Sequence, residues 1–306
     1  MGGGVRHLVL VGPTASGKSA LAVAAALALG DAEVVSADAM ALYRGMDVGT
    51  ATPTVEERQG VPHHLLELVD PADDAELAGW LDAARAVLEG LEAGGKRAVV
   101  VGGTGLYVQA LVDDLNLPGR WPAVRAGIEA ETVSAEQLHA RLAALDPVAA
   151  ARIQPANRRR VTRALEVTLG SGRPFSSFGP GMTAWPARPR FDQVGVWLPR
   201  AVVRDRIGVR VARMFEAGLV DEVRALLALP GGLSRTSRQA LGYKEVLAHL
   251  EDGRSLAACQ AEVVARTRAF ARRQRVWFRR DPRITWLAAP DDPVRLLPAL
   301  IALWSR

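Results

Sequence analysis

Hydrophobic residues in this chain follow two patterns. Some form short unbroken runs, and others recur every third or fourth position over longer stretches. RHLVLV at Arg6–Val11, EVVS at Glu33–Ser36 and RAVVV at Arg97–Val101 are of the first kind. They do not alternate with polar residues, as expected of strands covered on both faces of a parallel sheet. SALAVAAALAL at 19–29 and AELAGWLDAARAVLEGLEAGG at 75–95 are of the second kind, and Gly94-Gly95 closes the latter as a helix C-cap. The order βαβαβ predicts a doubly wound α/β core.

The pattern changes at Pro118-Gly119. PAVRAGIEAE, AEQLHARLAAL and NRRRVTRALEVTL predict consecutive helices, followed by the Pro/Gly/Ser-containing loop SGRPFSSFGPGMTAWPARPRFD. DQVGVWLP then resumes as a strand, and RITWLAA can add a last one. The expected organisation is a core from 1–117 and 193–306 with an all-helical insertion at 118–192. A chain of 306 residues is long enough to bury one large core with such an appendage.

Charge divides along the same line. Residues 1–117 carry 7 Lys/Arg against 16 Asp/Glu, a net of −9, while residues 118–306 carry 31 against 17, a net of +14. The surplus is almost all arginine, which suits phosphate forks and base stacking, so a polyanionic partner and nucleic acid in particular are indicated. No apolar run approaches the length of a membrane span, and MGGGVRH has no signal-like apolar region, so a cytoplasmic protein without membrane contact is expected. The single cysteine, Cys259, excludes an internal disulfide and a Cys-rich zinc module. His63, His64 and His139 lack metal-like companions and are read as structural.

GPTASGKS, Gly12 to Ser19, matches the phosphate-loop pattern G-x-x-x-x-G-K-[ST], with a strand before it and a helix after it as that pattern requires. Gly12, Thr14, Ala15, Ser16 and Gly17 would present backbone N–H groups to phosphate, Lys18 would reach the outer phosphate, and the Ser19 hydroxyl could ligate Mg²⁺. The loop names no reaction. A phosphate held there can pass to an acceptor, as in an ATP-dependent kinase, or depart so that another group is transferred. Asp38 follows the second strand at the sheet edge where open α/β folds place ligands, and could hold Mg²⁺ through water or accept a proton. Gly102-Gly103 end the third strand at the same edge and present Thr104.

Eight stretches in fixed order carry a resemblance. GPTASGKS, DAMALYRGMDVGTA at 38–51, VPHHLLELVDP at 61–71, GGTGLYVQAL at 102–111, DPVAAARI at 146–153, RRVTRALEV at 159–167, RQALGYKE at 238–245 and TRAFARRQRVWFRR at 267–280 resemble bacterial tRNA dimethylallyltransferases over nearly the whole chain. The resemblance implies a P-loop NTPase-like parallel sheet flanked by helices. It also implies transfer of the dimethylallyl group of dimethylallyl diphosphate to N6 of adenosine 37 in tRNA. Asp38 is then the base, Thr104 stands beside the reacting centre, and Arg210 holds the diphosphate with Arg206 one turn earlier. The family usually has D-S-x-Q or D-S-x-L where this chain has Asp38-Ala39-Met40-Ala41, so a hydroxyl and an amide near the target base are missing. No zinc finger follows, as in the shorter bacterial form, and a monomer is expected.

Seven arginines fall within Arg266–Arg280, and at helical spacing Arg268, Arg272, Arg275 and Arg279 share one face while Val263, Phe270 and Trp277 share another. Aligned guanidinium groups repel one another unless an anion joins them. Arg158, Arg159, Arg160 and Arg163 form a second basic group, and these, with Arg125 and the segment Arg238 to Gly242-Tyr243, match family stretches that touch the tRNA anticodon stem-loop. The resemblance has the target adenine extruded from that loop. The other readings are a small-molecule kinase, a non-catalytic RNA-binding or nucleotide-switch module, and prenyl transfer to free AMP. The arginine stripe argues against the first, the carboxylate at the sheet edge against the second, and the insertion with its basic helices against the third.

Overall fold

The computed structural model describes residues 5–179, 182 and 184–304. Expectations placed on the first four residues, and on residues 180, 181 and 183 of the 171–192 loop, lie outside it. The chain divides into two compact units, one of residues 1–113 with 185–306 and one of residues 114–184. The divisions fall four and eight residues before the expected 118 and 193, the segment that leads into the strand at Phe191 belonging to the larger unit.

In the larger unit, β1 (His7–Val11) is buried at every position and runs through the glycine loop into α1 (Lys18–Leu29). β2 (Ala32–Ser36), the single turn α2 (Val55–Arg58), the two-residue β3 (His63–His64), α3 (Leu77–Ala93), β4 (Arg97–Gly102) and α4 (Gly105–Val112) follow. A strand as short as β3 leaves no periodicity, so no sequence pattern announces it.

The smaller unit contains α5 (Pro122–Ala130), α6 (Ala135–Leu145) and α8 (Arg158–Ser171), helical as the apolar spacing predicts, and the short α7 (Pro147–Arg152), which that spacing does not single out. It has its own core of Ile128, Leu138, Leu142, Val161 and Leu165. The larger unit resumes with β5 (Phe191–Trp197), α9 (Arg200–Glu216), α10 (Leu219–Ala228), α11 (Tyr243–Asp252), α12 (Leu256–Phe278), β6 (Thr285–Ala288) and α13 (Leu297–Trp304).

The six strands form one sheet in the order β3-β2-β4-β1-β5-β6, and every pairing is parallel. The register decides where the site lies. Val11 pairs with Gly102 and Ser36 with Val101, so β1, β4 and β2 end level with one another. The loops that leave them therefore share one edge, the carboxyl edge at which open α/β sheets bind ligands. Among the described residues no helix is long and apolar enough to cross a membrane.

One buried carboxylate holds the smaller unit together. Asp146, between α6 and α7, accepts from Ala149 N–H at 2.9 Å, Ser176 N–H at 2.7 Å and the Ser176 hydroxyl at 2.8 Å. Burial pushes its pKa up, but these donors and the nearby Arg152 charge outweigh it and hold the carboxyl below its ordinary range. Asp146→Ala is expected to destabilise this unit by about 2 kcal/mol, the scale for orphaning buried donors. The wild-type contribution is present above the unfolded carboxylate pKa and lost as pH falls through the lower folded value. Hydrogen exchange of α6–α8 amides against pH checks both.

Candidate functional site

The phosphate loop is shaped by two left-handed residues, Ala15 (φ 61°) and Gly17 (φ 76°), the second directly preceding α1. This turns the loop around the helix N-terminus, where unpaired N–H groups favour an anion. Two cations face it. Lys18 donates to Pro13 O at 3.5 Å, and burial in the cleft lowers its pKa to about 8, the Asp38 charge raising it and Arg210 lowering it further. Arg210, from α9, donates to Thr14 Oγ1 at 3.0 Å and to Thr50 O at 3.2 Å, and burial lowers its pKa also, opposed by Asp38. Arg206, one turn earlier, brings a guanidinium nitrogen to 3.2 Å from the position of a side chain on Gly17. Ser19 is exposed at the cleft, whereas the Ser16 hydroxyl is buried without a partner among the described residues.

Asp38 enters from the end of β2. Ala37 N–H donates to Val101 O at 2.8 Å, which continues the sheet by one bond beyond the strand. The chain then turns, and an Asp38 carboxylate oxygen accepts from Met40 N–H at 2.9 Å. Thr104, at the start of α4, accepts from Ala39 N–H at 3.2 Å and so ties the two strand ends together. Ala39 and Met40 are half-buried beside Asp38, while Ala41 is buried. Thr14, Lys18, Asp38 and Arg210 line a single open cleft of about 690 Å³, solvent at its mouth included. Its remaining wall is mixed: Val34, Val101, Ala51, Pro53, Leu66 and Phe270 are apolar, and Ser36, Thr50 and Gln274 are polar. His63 also lines it, with Nδ1 2.8 Å from Val61 O and its pKa lowered mainly by burial.

Two residues that sequence patterns passed over organise this cleft. Glu222, at the start of α10, accepts from the N–H groups of Asp47, Val48 and Gly49 at 2.9, 2.8 and 3.2 Å, which fixes the loop that delivers Thr50. In the sequence it looks like an ordinary acid in a helix's first turn. Gln274 bridges Thr14 and Gly103. Its signal was a lone amide on the α12 face otherwise formed by Val263, Ala271 and Phe278.

The residues assigned to tRNA divide. Arg272 and Arg279 are exposed on α12, and Arg159 and Arg160 are exposed on α8. Arg275 is a correction. It is buried, donates to Leu198 O at 2.7 Å and stacks 4.1 Å over the Trp197 ring, because the end of β5 offers an acceptor and a π face to the margin of the helix's inward side. Arg268 is likewise half-buried and reaches Arg204 O at 3.5 Å. Tyr243 is a second correction. It is fully buried with its hydroxyl on Glu222 at 2.5 Å, and burial and that carboxylate push its pKa up, so it braces the 47–49 loop from inside. Gly242 N–H donates to Glu245 at 2.8 Å, and Arg238 pairs with Glu251 at 2.5 Å. In the smaller unit Arg163 pairs with Glu166 at 2.8 Å, and Arg125 with Glu129 at 2.8 Å and Glu166 at 3.6 Å.

Sulfate, whose charge is constant over the neutral and alkaline range, is expected to bind the loop less tightly as pH rises through about 8, where Lys18 loses its proton. Titration calorimetry on both sides of that pH checks this, with Lys18→Met as the variant in which the dependence disappears.

Residues 41–281 match the model of the family described as IPP transferase. A tRNA dimethylallyltransferase of Kineococcus radiotolerans is 51% identical, over 97% of this chain and 95% of that protein. One of Streptomyces coelicolor is 50% identical, over 96% and 94%. Among solved structures, the tRNA isopentenylpyrophosphate transferase of Bacillus halodurans superimposes with a TM-score of 0.71 at 34% identity, covering 98% of this chain and 97% of that one. A eukaryotic dimethylallyltransferase acting on tRNA superimposes at 0.77 with 26% identity, covering 94% of this chain and 74% of that one. With this extent of agreement in sequence, and with a phosphate loop and a carboxylate meeting at one sheet edge, the chain belongs to the IPP transferase family.

Proposed function

We propose that this protein transfers the dimethylallyl group of dimethylallyl diphosphate to N6 of adenosine 37 in the anticodon loop of tRNA and releases diphosphate. One observation carries the reading. Lys18 and Arg210 share a cleft with Asp38, and Val34, Val101, Ala51, Pro53, Leu66 and Phe270 line it as well, beside the polar Ser19, Ser36, Thr50, His63 and Gln274. A branched hydrocarbon chain is stabilised by contact with the apolar members of that wall, while the cations hold the diphosphate.

The chemistry follows from the placement. As the allylic C–O bond breaks, positive charge grows on the prenyl carbon and negative charge on the departing diphosphate. The α1 N-terminus, Lys18 and Arg210 stabilise that negative charge where it develops. The adenine amine attacks the allylic carbon, and Asp38 takes the amine proton as the C–N bond forms. Asp38 is held for this by the Met40 N–H, and its loop by Thr104. A divalent cation fits the donor set, since the Ser19 hydroxyl is an exposed oxygen ligand in the cleft and a diphosphate brings further oxygens. Ser19 would hold Mg²⁺, which supplies charge neutralisation at the diphosphate when bound.

Arg272 on α12 and Arg279 at its C-terminal end are exposed cations that meet the anticodon stem-loop, with Ala39, Met40 and Arg238 as closer contacts; Arg159 and Arg160 are exposed cations of the smaller unit.

Incubation with tRNA, Mg²⁺ and dimethylallyl diphosphate, followed by digestion to nucleosides, is expected to yield N6-isopentenyladenosine; a γ-phosphoryl group from ATP on the product would overturn the reading. Asp38→Ala should lower turnover by about 10²-fold or more while tRNA affinity stays near wild type. Arg272→Ala should weaken binding of all tRNAs alike and reduce the log–log salt slope by about one unit per lost phosphate contact. Filter binding across a salt series measures that slope.

A further inference from the structure

Two halves of the cleft carry different parts of the chemistry. The phosphate loop holds Lys18 and receives Arg210, while the turns after β2 and β4 hold Asp38 and Thr104. For one reaction to span them, their separation must be fixed to a fraction of an ångström. The loops are not adjacent in sequence, and beyond the strand ends the sheet's own hydrogen bonds no longer join β1 to β4.

We propose that Gln274 is the positioning residue that sets this separation. Its side chain is buried, and the amide reaches both halves at once. Oε1 accepts from Thr14 N–H at 2.7 Å, and Nε2 donates to Gly103 O at 3.0 Å. Both partners are backbone groups of fixed polarity, so only one orientation of the amide satisfies them. Each partner adjoins the machinery. Thr14 also accepts from Arg210 through its hydroxyl, and Gly103 precedes Thr104, which holds the Asp38 turn through Ala39. Gly103 is required by this approach, since a side chain there would begin 2.2 Å from Gln274 Nε2. The path from diphosphate cation to base therefore runs through one side chain, with Arg210, Thr14, Gln274, Gly103 and Thr104 in sequence.

A neutral amide is the suitable group. It supplies one acceptor and one donor without titrating, and it adds no charge beside Lys18, whose Nζ lies 3.7 Å from where a Gly103 side chain would begin. The helix that presents Gln274 also exposes Arg272 and Arg279. Its inward side holds the cleft while its outward side is open to a polyanion.

This inference rests on the phosphate loop holding diphosphate, and the experiment separates the two. Gln274→Met keeps the length and removes both hydrogen bonds. It is expected to lower kcat by about 10²-fold, the scale for misplacing reacting groups by an ångström, with KM for tRNA near wild type and a thermal midpoint lowered by a few degrees, which leaves the enzyme folded at the assay temperature. Gln274→Glu adds a second reading. Its protonated carboxyl can accept and donate as the amide does, whereas its ionised form repels Gly103 O. The ratio of its kcat to that of wild type should therefore rise as pH falls. A Gln274→Met enzyme with wild-type kcat, or a loss that tracks only the unfolded fraction, overturns the proposal. Should that variant fail to fold, a Gln274→Glu ratio that does not change with pH overturns it. Pyrophosphate titrated into the wild type distinguishes the failures: no binding removes the diphosphate reading and this inference with it, whereas binding alongside an unimpaired Gln274→Met removes only the role of Gln274.

Discussion

The hydrogen-bond register between β1, β4 and β2 is the constraint from which the site follows. Val11 opposite Gly102 and Ser36 opposite Val101 bring three strand ends to one line. In a parallel sheet a slip of one residue would turn buried side chains to the opposite face. It would also carry Asp38 out of range of the phosphate loop. The continuous apolar runs of these strands hold the register, because every residue of β1 is buried and none tolerates displacement. Loops have few such contacts of their own, so the precision of the cleft is borrowed from the sheet and extended past its edge by single hydrogen bonds such as Ala37 N–H to Val101 O.

The same edge gathers unlike charges at unequal number. Among the described residues lining the cleft, Lys18 and Arg210 stand with one carboxylate, Asp38, and burial lowers the pKa of both cations. A diphosphate would give both cations acceptors, since its oxygens replace the water that burial removes. Charge stabilisation of this kind needs donors that are already in place. Glu222 and Tyr243 contribute to that order by fixing the 47–49 backbone, although neither lines the cleft.

α12 shows how one helix can divide its arginines between structure and recognition. Arg272 and Arg279 remain exposed, Arg279 reaching the margin of Trp197 at 5.9 Å, whereas Arg275, of the same stripe by spacing, is buried over that ring at 4.1 Å. A guanidinium ion carries a flat weakly hydrated surface that stacks on aromatic rings, so an arginine at the margin of a buried face can turn inward without losing all its partners. Helical phase alone therefore overstates the surface available to a polyanion.

Much was legible from local pattern. Unbroken β-branched runs mark β1, β2 and β4, apolar periodicity marks the helices of the smaller unit, and the glycine spacing of Gly12 to Ser19 marks the phosphate loop, because each of these depends on residues close together in the chain. Asp38 and Thr104 were legible by their place just after strands. Strand order, the two-residue β3, the inward turn of Arg275 and Tyr243, and the roles of Glu222 and Gln274 were decided only by the tertiary structure. Gln274 meets a partner 260 residues away, and no spacing along the chain encodes which backbone group a distant amide will reach once helices and sheet have packed.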